Sequence, residues 1–281
     1  MRIDIVSVFP EYFDVLNLSL LGKAQDKGLL NFGIHNLRDW THDVHHSVDD
    51  TPVGGGAGMV MKPEVWAECL DDFLGIPALD HIEHADPSTG AHSQAILVFP
   101  NPSAPTFTQK DATELSHAEH LIFGCGRYEG YDGRLPAYYA AQGFDVREYS
   151  IGDYVLNGGE VAVSVMVEAT TRLIDGFMGN HASIEEESYT GAEGLLEHRQ
   201  YTKPATWRGM EVPDVLLSGH HANIDRFRRD EELRRTSHIR PDIIEALDCS
   251  QLDKKDRKLL AELGWIVSGE HPRLRSEKPK S

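Results

Sequence analysis

Two glycine-dense segments constrain this chain more than anything else in it. They are Cys125-Gly126-Arg127-Tyr128-Glu129-Gly130-Tyr131-Asp132 and Ser150-Ile151-Gly152-Asp153-Tyr154-Val155-Leu156-Asn157-Gly158-Gly159-Glu160. Each closes an apolar run, residues 121–123 and 144–149. Glycine at the end of a strand lets the main chain approach a flat ligand that a side chain would hold off. One such turn is explained as a plain tight turn. Two, at the ends of neighbouring strands, match the nucleoside-binding crevice of an open α/β sheet.

The rest of the first two-thirds alternates in the same sense. Residues 3–8 read as a strand, 11–27 as an amphipathic helix stopped by Gly28, and 29–35 as a second strand. A long loop follows with a His/Asp cluster and the 54–58 glycine turn, and Pro63 opens a helix to Leu74. Residues 80–93 are polar and read as a surface excursion. Residues 95–99 are a buried strand, and Thr108 with Asp111 forms a capping box. The order βαβαβα implies a parallel sheet with ligands at the strand C-termini. Valines at 161, 163, 165 and 167 alone count as a period-two strand. Residues 176–195 are rich in Gly, Ser and Glu and poor in apolar side chains, which reads as a flexible linker. Residues 196–281 then suggest a small helical domain with a frayed tail from Gly269.

Composition limits the function classes. Three scattered cysteines, Cys69, Cys125 and Cys249, give neither a disulfide framework nor metal spacing. The start of the chain reads as a strand and no apolar run is long enough for a bilayer, so the expectation is a cytoplasmic protein without a membrane partner. A net charge of −18 argues against nucleic acid as a partner. Against that, Arg226, Arg228, Arg229, Arg234, Arg235 and Arg240 cluster, with Lys203 and Arg208 upstream. Interleaved Asp225, Asp230, Glu231 and Glu232 give that cluster a plainer account as helix ion pairs.

The two segments, CGRYEG-x-D and SIGDYVL-x-GGE, resemble the signature loops of bacterial tRNA (guanine-N1)-methyltransferases, the TrmD family of the SPOUT class. Further matches run in order over about the first 240 residues. They include Phe9-Pro10-Glu11, Arg38-Asp39-x-Thr41-His42-Asp43, Pro52-x-Gly54-Gly55-Gly56-x-Gly58-Met59, Gln200-Tyr201-Thr202-Lys203-Pro204 and Gly209-Met210-Glu211-Val212-Pro213. The resemblance implies an α/β fold whose parallel sheet carries a C-terminal trefoil knot, plus a small all-helical C-terminal domain. It divides the chain into a knotted cofactor-binding domain (1–175), a flexible linker (176–195) and a helical tRNA-binding domain (196–281). It also makes residues 160–167 a helix entered from Gly158-Gly159. The implied activity is methyl transfer from S-adenosylmethionine to N1 of guanosine 37 of tRNA, by a homodimer in which the linker and helical domain of one subunit complete the other's site. A Mg²⁺ requirement stays open.

Guanine N1 carries a proton, so this chemistry needs a general base, and a cation must meet the charge that develops on O6. The resemblance implies three catalytic residues: Arg172 for the charge, Glu187 for the base, and Glu129 near the methionine end of the donor. The family has aspartate where this chain has Glu187. One extra methylene shifts a carboxylate by about an ångström, a displacement that can cost ~100-fold. Donor contacts carry over to Phe99, Pro100 and Asn101, to Gly126 and Tyr128, and to Ile151, Gly152, Asp153, Tyr154, Val155, Leu156, Gly158 and Gly159. Ala104 stands where the family usually has glycine.

Two other classes compete. His42-Asp43-Val44-His45-His46 with Asp49-Asp50 has residue types that suit a metallohydrolase. No helical HExxH spacing appears, however, and a loop crowded with polar residues is the simpler account, so no metal ligands are assigned. A non-catalytic RNA- or cofactor-binding relative is the other, motivated by Glu187 and the acidic charge.

Overall fold

The computed structural model describes residues 1–76, 95–179 and 187–275. The chain forms two compact units, Met1–Gly179 and Asn180–Ser281.

In the first unit, five strands form one all-parallel sheet: β1 (Arg2–Ser7), β2 (Asn31–Asn36), β3 (Ala95–Pro100), β4 (His120–Gly124) and β5 (Asp145–Tyr149). Their order is β2-β1-β4-β3-β5. Period-two alternation splits each central strand between two cores. Ile3, Ile5, Val98, Leu121 and Phe123 face one, while Val6, Leu97, Phe99 and Ile122 face the other. The first core is covered by α1 (Ser19–Asp26), α3 (Gln109–Ser116) and α5 (Glu160–Thr171). The second is covered by α2 (Pro63–Leu74) and α4 (Arg134–Ala141). The expected Thr108–Asp111 capping box is present at the start of α3. Residues 77–94, which include the expected surface excursion, lie outside the described residues.

The single helix expected over 11–27 is instead two pieces. A 3₁₀ helix, Pro10–Asn17, ends at an extended Leu18, and α1 starts afresh. The chain doubles so tightly here that a Cβ on Gly22 would overlap the Asn17 carbonyl. The break lets Phe13 and Leu16 join Leu21 and Ala24 in the same core. Despite its alternating valines, the 160–171 segment is helical. Ala162, Val163, Met166, Val167 and Thr170 form its buried face.

In the second unit, α6 (Asp214–Leu217) precedes α7 (His221–Ile239), α8 (Pro241–Ala246) and α9 (Lys254–Glu262), and the last three surround a core of Leu195, Leu233, Ile244, Leu260 and Trp265. The unit is not purely helical: Thr206–Trp207 pairs with Met210–Glu211, and Trp265–Ile266 with Arg273–Leu274. The second pairing holds residues that were expected to be frayed. Residues 187–195, read as linker, also belong to this unit. Tyr189 N donates to Leu195 O at 3.1 Å, Leu195 enters the core, and Glu193 pairs with Arg229. Three arginines of the basic cluster are tied internally: Arg226 to Asp230 and Asp256, Arg229 to Glu193 and Asp256, and Arg240 to Asp242. Of these, only the Arg226–Asp230 pair fits the helix ion-pair account, since Arg229 is tied to acids outside its helix. No helix among the described residues is long and apolar enough to cross a membrane.

Candidate functional site

The C-terminal ends of β3, β4 and β5 deliver three loops to one edge of the sheet. Main-chain bonds tie the loops together: Asn101 N to Tyr149 O at 2.9 Å, Ser150 N to Pro105 O at 2.9 Å, and Gly159 N to Gly126 O at 2.9 Å. A cleft of about 300 Å³ lies among them.

Glycine makes the junction of the two signature segments possible. A Cβ on Gly159 would stand 3.0 Å from Cys125 Cα and 3.1 Å from Gly126 N, main-chain atoms that cannot swing aside. Gly158 pairs with Arg127 in an isolated antiparallel bridge. Beneath them Glu160, only 1% exposed, accepts from Arg127 Nε at 3.0 Å and from Ser7 Oγ at 2.7 Å. The Arg127 guanidinium also lies 4.5 Å from the Phe9 ring centroid. Burial works against the charge on Arg127, but Glu160 and Tyr12 together outweigh it and lift the guanidinium above its ordinary range. Burial, reinforced by Glu160, pushes the Cys125 thiol well up, so Cys125 is no nucleophile.

Most of the donor contacts expected from the sequence line this cleft. Pro100 and Asn101 come from the first loop, Gly126 and Tyr128 from the second, and Ile151, Tyr154, Val155, Leu156, Gly158 and Gly159 from the third. Glu129 lines it too. Its N–H donates to Met59 O at 3.0 Å, and Met61 N donates to Gly130 O at 2.8 Å, which anchors the second loop to the end of the glycine-rich segment. Three expected contacts do not line the cleft. Phe99 is fully buried, its ring 5.0 Å from that of Tyr131 and 6.3 Å from that of Trp66, so it supports the cleft from below. The Gly152 carbonyl accepts from Ser150 Oγ inside its own turn, and Asp153 is exposed.

Several lining residues were not foreseen, among them Pro102, Ser103, Tyr131 and Ala162. Tyr131 is held by Glu148, which accepts from Tyr131 Oη at 3.1 Å and from Asn101 Nδ2 at 2.9 Å. Burial, then the Glu148 charge, pushes the Tyr131 phenol far up, so it stays a neutral donor. The available signal was a carboxylate inside the strand Asp-Val-Arg-Glu-Tyr, where an acid needs a partner.

Of the three residues assigned as catalytic, Glu129 lines the cleft and the other two do not. Arg172 caps the C-terminal end of α5, about 18 Å along a 12-residue helix from the Gly158-Gly159 end, and it does not line the cleft. Glu187 is the first described residue of the second unit, its carbonyl accepting from Thr190 Oγ1 at 2.6 Å. Glu185 and Glu186 lie outside the described residues. The His/Asp segment is a self-bonded loop. Asp43 accepts from His45 N and Ser47 N, both at 2.9 Å, and His42 Nε2 meets Glu68 at 2.9 Å. Among the described residues no three acidic, His or Cys side chains are placed to hold a metal ion.

A cleft lined by bare main chain, apolar side chains, phenols and one carboxylate suits a flat nucleoside carrying a cationic end. The comparisons agree with that chemistry. The model of the tRNA (Guanine-1)-methyltransferase TrmD family matches residues 1–246. A tRNA (guanine-N(1)-)-methyltransferase of Bifidobacterium longum (strain DJO10A) is 72% identical over 284 residues, covering 97% of this chain and 99% of the relative. Proteins of the same name are 54% identical in Thermobifida fusca (strain YX), covering 96% and 98%, and 51% identical in Renibacterium salmoninarum, covering 95% of each. The chain belongs to the tRNA (guanine-1)-methyltransferase TrmD family.

Proposed function

We propose that this chain transfers the methyl group of S-adenosylmethionine to N1 of guanosine 37 of tRNA, beside the anticodon. The observation that carries this is the cleft, where Gly159 locks the two signature loops together at the C-terminal edge of a parallel sheet. Its residues fit the donor. Gly126, Gly158 and Gly159 expose main chain to a flat base, Val155 and Leu156 add apolar surface, and Glu129 brings a carboxylate for a cationic end. Bound there, the donor supplies a methyl group already activated on a sulfonium sulfur.

The protein must then align the reactants and remove the guanine N1 proton. Glu187 takes that proton, and the Arg172 guanidinium balances the charge left on O6. Glu129 is the lining carboxylate that a Mg²⁺ ion brought with the substrate would meet, since Mg²⁺ is bound through one or two carboxylates plus substrate oxygens. The three loops are threaded as a SPOUT trefoil knot, the second unit grips tRNA, and the enzyme works in the cytoplasm.

A second copy of the chain completes the site. On α5 the residues Val161, Val165 and Glu168 are exposed in a stripe that runs on to Arg172, and Phe9, Tyr12, Val15 and Leu18 are exposed on the neighbouring segment. An apolar face of this kind suits an isologous contact. In an antiparallel α5 pair centred on Val165, residue 172 of one copy faces residue 158 of the other. Arg172 thereby serves its partner's cleft, and Glu187 arrives from the same partner.

The test is tritiated-methyl transfer to tRNA transcripts with guanosine or adenosine at position 37. Label should enter the guanosine transcript alone. Donor binding without transfer to either transcript would leave a non-catalytic relative in its place.

A further inference from the structure

A pocket of about 540 Å³ in the second unit lies among residues 198–228, and the methyl-transfer chemistry makes no use of it. Its charge is unlike that of the rest of the molecule. In a chain with 45 acidic and 27 basic residues, the pocket is lined by Arg199, Lys203 and Arg228 and by no carboxylate. Among the described residues Lys203 has no ion-pair partner, whereas Arg199 is paired with Glu231. Tyr201, Leu216 and Leu217 supply an apolar wall. Cations over an apolar wall complement a nucleotide, which joins an anionic phosphate to a flat base.

A hairpin rises directly from this pocket. Ala205 and Val212 both line it, and Val212 N donates to Ala205 O at 2.8 Å, closing the base of the Thr206–Trp207/Met210–Glu211 ladder. At the tip Arg208 has φ 52° and Gly209 φ 78°. A two-residue turn with both φ values positive favours Asn-Gly or Gly-Gly. Arginine in that first position breaks the local rule, and such departures concentrate at functional sites. Its guanidinium lies 5.0 Å from the Trp207 ring centroid, and Trp207 is 55% exposed. An indole left in solvent with one face under a cation offers its other face to a base.

We propose that this pocket and hairpin form a nucleotide-docking site for the RNA substrate, separate from the methyl-transfer cleft. A phosphate binds at Lys203, Arg199 and Arg228, and an adjoining unpaired base stacks on the free face of Trp207. This rests on tRNA being the substrate, and the experiment separates the two.

Wild-type protein, Trp207→Ala and Lys203→Gln are compared with the guanosine-37 transcript for RNA affinity, its salt dependence, transfer rate at saturating RNA, and donor affinity. Trp207→Ala should weaken RNA binding about tenfold, the effect of losing one stacked base. Lys203→Gln should lower the slope of log affinity against log salt by about one. Donor affinity and the saturated rate should be unchanged in both. Wild-type protein that fails to methylate the transcript would sink the tRNA assignment. Wild-type methylation with RNA affinity and salt slope unaltered in both variants would sink the docking site alone, and leave the pocket to another class of partner.

Discussion

At the residue scale the family's aspartate-to-glutamate difference is the sharpest question. If Glu187 is the base, Glu187→Gln should lower the single-turnover methyl-transfer rate by about 10²–10⁴ while calorimetric donor binding stays intact. Glu187→Asp should retain activity within about tenfold of wild type, because it keeps the carboxylate and restores the acid that the resemblance gives this position. Equal rates in Gln and wild type would remove Glu187 from the mechanism. Legibility at this scale followed chemistry that is local in sequence. Gly158 and Gly159 could be read because a glycine pair closing an apolar strand has few other uses. Glu148 could not: its partners, Tyr131 and Asn101, come from two other loops, and only the fold brings them to it. Phe99 was misassigned for a related reason. It ends the right strand, but alternation turns it inward, and Pro100 and Asn101 are the residues that reach the cleft.

At the element scale the parallel sheet was legible because buried strands bounded by glycine or proline leave little choice of class. The broken first helix was not, since 11–27 carries a helical pattern throughout and the break is set by packing around Gly22. Asp4 shows a tertiary constraint of the same kind. From the middle of β1 it accepts from His35 on β2 and His120 on β4, both at 2.7 Å, and from Arg2 at 2.6 Å. Burial alone would raise its carboxyl. His120, His35 and Arg2 together outweigh burial and hold it well below the ordinary carboxylate range. A depressed folded value means the contribution is fully present above about pH 4 and fades as pH falls through that lower value. Asp4→Asn should therefore cost about 2–3 kcal/mol in urea unfolding at pH 7, with the gap from wild type narrowing towards pH 2. Parallel stability curves over that range would deny the charge any part. If α5 forms the proposed interface between two copies, Val165→Glu should lower the mass in sedimentation to that of a monomer without altering helix content. Unchanged mass would move the interface elsewhere.

At the scale of the whole molecule, net charge misled and the family match corrected it. A net −18 argues against RNA only if charge is spread evenly, and three cations of the second unit, Arg199, Lys203 and Arg228, line one pocket whose wall holds no carboxylate. If Arg172 acts in the reaction as proposed, a single protomer would be insufficient, because α5 carries it about 18 Å along the helix from the cleft end. Two disabled chains can decide whether a partner closes that gap. Gly159→Ala spoils its own cleft, since the new methyl meets the Cys125–Gly126 main chain, but it leaves Arg172 in place. Arg172→Ala keeps a sound cleft. Each alone should be inactive. In a mixed dimer, if Arg172 acts across the interface, the intact cleft of the Arg172→Ala chain receives an arginine from its Gly159→Ala partner. Random re-association makes about half the dimers mixed, each with one working cleft of two, so roughly a quarter of wild-type activity should return on mixing. If Arg172 served its own cleft, each chain would lack one essential part and mixing would restore nothing.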